Sequence, residues 1–435
     1  MIPKLTASTI YSTLGNNSSL VPLAIKDIAN SCGLTTASYL AGDEVEGKDR
    51  FIDEFGTQAI WLWGIPTYKK LLDLPLFKAL GFDKEIDARI LKNPKILQAA
   101  QDLAPTEAIK NSIKHVANNK SKFKALTIAK FAISTVLTAG TYLGLTKFRH
   151  KYTENQIKQD YYEKQQQEKD KFLKTSNIAF SASFSDVHKP TSQQNKKVSF
   201  TGGLQDFIFD PVKNLMLVDA SITTERLTHA RNPQDFLGYA IKEGSFWAFM
   251  YFAGPLISNA MEKYADTKLN KNISLDSRIL ESGRLQNAFK NGAIKKHLEE
   301  FAKADLSDEA LYKFAVKPDK TNLIIDLAKK SGVITLTDDK KAVDTRKFIN
   351  LQELREIRDN LSKLVEQQKT SGKTVDEFLK AVRKLKRASV ITNIGACITA
   401  LGIIAPSIML LSRKNQDYQV KADIEQKLNK QNISW

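Results

Sequence analysis

Cysteine is almost missing from this chain: Cys32 and Cys397 are the only two in 435 residues. They lie far apart, each beside small or apolar residues, so a disulfide framework and a CxxC metal site are both excluded, and both thiols read as buried. Histidine is scarce as well. His115, His150, His188, His229 and His297 show no HExxH or His-Cys spacing, so no zinc site is expected. Nucleotide signatures are lacking too. Ser371-Gly372-Lys373-Thr374 has the ending of a phosphate loop, but Gln367 stands where its first glycine is needed, and no strand precedes it. Neither a G-x-G-x-x-G fingerprint nor a G-x-S-x-G nucleophile elbow occurs. No catalytic residue, metal or cofactor can be assigned, and a non-enzymatic role is expected. The amino-terminal stretch has no continuous apolar h-region, so membrane delivery is expected to use internal segments.

Positive charge is what the chain has in excess: 65 Lys and Arg against 48 Asp and Glu, a formal +17. Nucleic acid, anionic lipid headgroups and the flanks of membrane segments each call for such a surplus. The lysines gather at the ends of apolar runs, and no basic stripe with interleaved aromatics is seen. Anionic lipid is therefore the favoured partner and nucleic acid the least favoured.

The clearest apolar run covers residues 388–412, with no charge between Arg387 and Arg413. As a helix it extends about 37 Å, longer than the roughly 30 Å hydrocarbon core, so it fits a tilted transmembrane span better than a buried soluble helix. A second run, 125–146, is charged only at Lys130, whose stem is expected to snorkel to the interface. It contains Gly140-Thr141-Tyr142-Leu143-Gly144, a small-xxx-small pattern that suggests helix pairing through Gly140 and Gly144, with 388–412 as the suggested partner. Two shorter aromatic runs, 55–68 and 244–261, suit either spans or half-inserted segments.

These shorter runs also point to an internal repeat, because Glu54, Ala59 and Pro66 recur 189 positions later as Glu243, Ala248 and Pro255. The same shift places Asp87, Arg89, Ile90 and Leu91 on Asp276, Arg278, Ile279 and Leu280. Ten of 48 columns from 52 to 99 are identical, several times the chance level of roughly one in fifteen, which is enough to predict a duplication. The expected fold is a mainly α, helical membrane protein with two copies offset by 189 residues and a small soluble helical lobe inserted in the second. In residues, 1–150 form the first repeat and 151–203 a polar helix and linker. The second repeat takes 204–302 and 387–413, the lobe 303–386, and a polar tail 414–435. Within the lobe, 333–336 and 346–349 are expected to pair as a hairpin.

The repeated polar residues are the only candidates for specific work. Glu54 and Glu243 are read as opening the aromatic helices, where the helix dipole favours a carboxylate. Asp87, Arg89, Asp276 and Arg278 lie two apart and cannot share a helix face, so each is expected to find a partner elsewhere. The function classes that survive are a membrane anchor or structural protein, a small transporter or channel subunit built from two repeats, and, last, a nucleic-acid binder. Partners are the lipid bilayer and anionic lipids, with a second copy or other membrane proteins next. The expected location is the bacterial cytoplasmic membrane, with both termini on one side.

Overall fold

A computed structural model describes residues 7–15, 20–41, 43–174, 210–317, 321–413 and 417–433, and these are mainly helical. Strand pairing among them is confined to one isolated bridge, Leu336 to Val343. The hairpin turn is thus tighter than the expected pairing of 333–336 with 346–349, because Asp344 and Arg346 are taken up in a turn of their own.

The helices that build the central bundle are α1 (Val21–Leu40), α2 (Glu44–Ala59), α3 (Ile65–Leu76), α4 (Lys120–Lys174), α5 (Pro211–Thr228) and α6 (Pro233–Phe246). They continue with α7 (Ala253–Leu269), α8 (Val375–Thr399), α9 (Ala405–Ser412) and α10 (Gln419–Ile433). Three pairs are single rods with a π-turn inside: Ile60–Gly64 joins α2 to α3, Trp247–Phe252 joins α6 to α7, and Ala400–Ile404 joins α8 to α9. Each π-turn is followed within three residues by a proline, Pro66, Pro255 or Pro406. A proline lacks the N–H and collides with the carbonyl four residues back; the wider turn absorbs that conflict and lets the rod continue.

The largest apolar core lies at one end of the bundle, in a lobe of short helices. It draws on residues 303–386, including Leu311, Ile324 and Leu361, and also on Phe77 to Phe123 in the first half and Ala265 to Phe301 in the second. The short amphipathic helices Pro94–Asp102, Glu107–Asn118 and Gly283–Lys290 have no other place to bury their apolar faces.

Chain directions follow from which helix ends reach this core. α3 and α7 enter it by their carboxyl ends, through Phe77 and Ala265, while α4 and α8 leave it from their amino ends, through Phe123 and Phe378. The two rods α2–α3 and α6–α7 therefore run toward the lobe, and α4 and α8–α9 run away from it. The amino-terminal helix Ala7–Leu14 sits at the lobe end, where Arg387 lies over the Tyr11 ring and Gly15 meets Ser277. α10 packs at the opposite end, with Tyr161 donating to Asn429 and Val420 in a cluster with Ile157. The two ends of the described chain thus lie at opposite ends of the bundle, not on one side as expected. Counting only apolar runs overlooked α1, a 20-residue helix whose lysine, aspartate and asparagine interrupt its apolar pattern.

Two helical rods are long and apolar enough to cross a membrane, residues 120–168 and Val375–Ser412, and only 22% and 33% of their most apolar windows are buried by the rest of the chain. Neither is sheathed as the core helix of a soluble protein is. The α8–α9 rod does cross α1 closely: a Cβ on Gly33 would run into the carbonyl oxygen of Gly402, and one on Gly402 would lie 3.1 Å from the carbonyl oxygen of Ala29. Around Gly140 and Gly144, by contrast, a Cβ would meet nothing within 4 Å. These two glycines face outward, and the close crossing is made by Gly33 and Gly402. Cys32, beside that crossing, is exposed rather than buried, while Cys397 is buried as expected.

Candidate functional site: a buried ionic network

The polar residues of α2 fall at helical spacing. Glu46, Asp49, Arg50, Asp53, Glu54 and Gln58 form one face, and all are buried. The opposite face carries Phe51, which is 50% exposed. Charges point inward and an aromatic ring points out, the reverse of a surface helix in a water-soluble protein. α4 brings a matching buried stripe of Ser134, Thr138, Tyr142, Thr146, Arg149 and Thr153. α5 adds Asp219 and Arg226, and α6 adds Asp235, Tyr239, Lys242 and Glu243.

At the centre stands Asp53, 1% exposed. Its carboxylate is 3.1 Å from Arg149 Nη1 and 3.2 Å from Arg226 Nη2, and it accepts from the Tyr142 hydroxyl at 3.3 Å. Arg226 in turn reaches Glu243 at 2.5 Å and donates to Thr57 Oγ1 at 2.9 Å. Lys242 is 2.7 Å from Glu54 and 3.8 Å from Glu243, so it lies between the two repeated glutamates. Toward the far end, Asp49 is bound by Arg231 at 2.7 Å, by Thr153 at 2.6 Å and by the Tyr418 hydroxyl at 3.1 Å. Arg413 closes the network on Glu46. The Tyr239 ring is flanked by Arg50 and Arg149, at 5.3 and 5.8 Å from its centroid, and its hydroxyl accepts from Arg149 at 2.6 Å.

Glu54 and Glu243 are therefore brought together, but not in the place expected. Each lies well inside its helix, ten residues from the helix start, so the dipole accounts for neither. Paired cations compensate them instead. Lys130 also departs from expectation: its ammonium forms an ion pair with Asp73 of α3 and does not snorkel, because α3 packs along this part of α4.

The Asp-x-Arg pairs lie away from the network, in the lobe. Asp87 and Asp276 each cap a short helix by accepting from the backbone N–H two residues on, at 2.8 and 2.7 Å. The arginine two residues on folds back onto the same carboxylate, with Arg89 Nη2 at 2.7 Å from Asp87 and Arg278 Nε at 3.0 Å from Asp276. The partner is thus local, reached by leaving the helical conformation in which i and i+2 diverge. A third instance went unread in the sequence: Asp344 and Arg346 make the same bonds, at 3.1 Å to the backbone and 2.9 Å to Nε. Arg346 also reaches Asp83 at 3.1 Å, and its carbonyl accepts from the Asp87 N–H at 2.9 Å, so two of the three turns lock onto each other. The phosphate-loop-like tetrad forms a turn in which Thr374 caps α8 in a capping box with Glu377.

Arg149, Arg226, Asp53 and Lys242 were not legible as site residues, because charges at helical spacing read equally well as a solvated face. The one available signal was the aromatic side of α2 opposite its charges. Comparison with protein families, curated proteins and solved structures gives no match for this chain.

Proposed function

We propose that this chain is an integral membrane protein, held in the bilayer by the helical bundle and carrying the lobe at one membrane surface in a non-enzymatic, structural or anchoring role. The observation that carries this reading is where the large apolar side chains are exposed. Trp63, Leu71, Val136, Phe252, Leu256, Ile403 and Leu411 are among many on the bundle, whereas among the described residues only Leu80 and Leu306 in the lobe, and Ile10 on the helix packed at its end, are so exposed. An apolar girdle of that extent is a liability in water and the ordinary exterior of a protein in lipid. Charged groups directed inward and paired are the matching interior.

The reading extends to two parallel copies. Support comes from landmarks that share the sequence shift of 189: the caps Asp43 and Asn232, the left-handed residues Gly81 and Asn270, and the caps Asp87 and Asp276. The rods α2–α3 and α6–α7 correspond, and both run toward the lobe. Both ends of the bundle are basic, with Lys120, Lys122, Lys124, Arg383 and Lys384 at the lobe end and Lys147, Lys151, Lys421 and Lys427 at the other, so the positive-inside rule does not choose an orientation and lysines at either surface suit anionic headgroups. Carbonate extraction tests the proposal: retention in the membrane pellet is expected, and release into the supernatant would refute it.

A second reading, a small transporter or channel subunit, is favoured by one observation: Glu54 from one copy and Glu243 from the other meet at Lys242. It requires ion or solute flux in liposomes that depends on the purified protein and disappears in Glu54→Gln and Glu243→Gln.

A further inference from the structure

Between α1, α2, α5 and α6 lies a cavity of about 20 Å³, room for one water molecule. Four carboxylates line it, Asp27, Glu54, Asp219 and Glu243, against two cations, Arg226 and Lys242. Lys242 serves Glu54 and Arg226 serves Glu243. No cation remains for the other two acids. Asp219 accepts a hydrogen bond from the Tyr251 hydroxyl, and Asp27 makes no hydrogen bond or ion pair among the described residues. The other nearby cations do not line the cavity. Arg50 and Arg149 face Asp53, and Lys26, one residue before Asp27, lies beside Gly254 and Asn393.

We infer that this cavity is a proton-binding site in which Asp27 and Asp219 hold two exchangeable protons between the halves of the bundle. Two surplus negative charges in a water-sized space already lined by the charged Glu54 and Glu243 repel each other and those neighbours, and binding a proton removes each of them. One divalent cation would also balance two charges, but among the described residues no group of three acidic, histidine or cysteine side chains is placed to hold a metal ion, whereas protons need no ligand shell. Arg226 keeps an Nε–H without an acceptor, a donor for the single water through which the carboxyls exchange protons with each other. The inference rests on the membrane reading only for the low dielectric around the bundle.

Infrared spectroscopy of the full chain in detergent tests it through the C=O stretch of protonated carboxyls, identified by its shift in D2O. Two such groups are expected at neutral pH, one lost in Asp27→Asn, the other in Asp219→Asn, and both in the double variant. Absence of the band at neutral pH, or a band indifferent to both substitutions, overturns the assignment. So does a band removed by sodium or potassium at fixed pH, which would make the occupant a metal cation. Folding is followed separately. Asparagine mimics the protonated acid, so the double variant should keep the neutral-pH melting temperature and lose the alkaline fall expected of the parent; an identical alkaline fall in both would also overturn it. Release by carbonate with the two bands intact would refute the membrane reading and leave this one standing.

Discussion

Lys242 holds two carboxylates from different rods within reach of one ammonium, and its removal leaves Glu54 charged, buried and compensated only by Arg50 at 3.7 Å. Breaking a buried pair from one side costs about 3–5 kcal/mol, mostly the burden of the orphaned charge. Lys242→Met is therefore expected to lower stability by roughly that amount, and Lys242→Met with Glu54→Gln to recover most of it. Denaturation in detergent measures both; equal losses in the single and double variants would show that the ion pair is not the source. In the lobe, Asp87→Ala and Asp276→Ala each remove a helix cap and an arginine partner, at a cost of about 1–2 kcal/mol. These six repeated polar positions were readable as candidates because identity at a fixed shift needs no structure. Their partners were not, since Lys242, Arg226 and Arg149 have no distinguishing neighbours in the sequence.

Among the elements, the glycines offer the sharpest contrast. Gly33→Leu and Gly402→Leu are expected to lower the melting temperature, because a side chain at either position meets backbone of the crossing helix and overpacking there costs about 1–3 kcal/mol. Gly140→Leu and Gly144→Leu meet open space and should leave the monomer's stability unchanged or slightly raised. The G-x-x-x-G spacing was legible but indicated the wrong pair, because spacing reports that a close approach is possible and says nothing of which helix makes it. The lobe has its own acid response. The Glu85 carboxyl is held below its ordinary value by a hydrogen bond from the Lys347 ammonium, at 2.6 Å, against an opposing effect of partial burial. A carboxyl lowered in the folded state adds stability above its unfolded value, near pH 4.3, and loses it as acid passes through the lower folded value. Because the pair is partly exposed, the effect is below about 1 kcal/mol. Glu85→Gln should flatten that part of the acid limb and leave stability above about pH 6 nearly unchanged apart from the small loss of the pair.

For the whole molecule, the number of crossings is the decisive quantity. α5 begins part-way along the bundle, where Leu215 packs with Trp61 and Met250. The polar stretch 153–203 contains no run able to cross lipid. On the proposed membrane reading the crossings are α1, α2–α3, α4, α6–α7 and α8–α9, with α5 starting part-way along the bundle. In a cysteine-free background, Thr13→Cys and Lys330→Cys should be labelled from the lobe side only, and Lys164→Cys and Lys427→Cys from the other side only. Labelling of all four from one side would refute this topology.

The sequence alone determined that the chain is helical, that two long segments are apolar enough to cross a membrane, and that a set of residues repeats at 189, since composition, run length and identity are properties of the chain read in order. Only the tertiary structure decided which face of α2 is inside, that Gly33 rather than Gly140 makes the close crossing, and that the two ends of the described chain lie at opposite ends of the bundle. A helix with charges on one side and aromatics on the other is equally amphipathic in water and in lipid, and the choice depends on what the neighbouring helices bring. Here they bring arginines and a lysine from sequence positions 90 to 190 residues away.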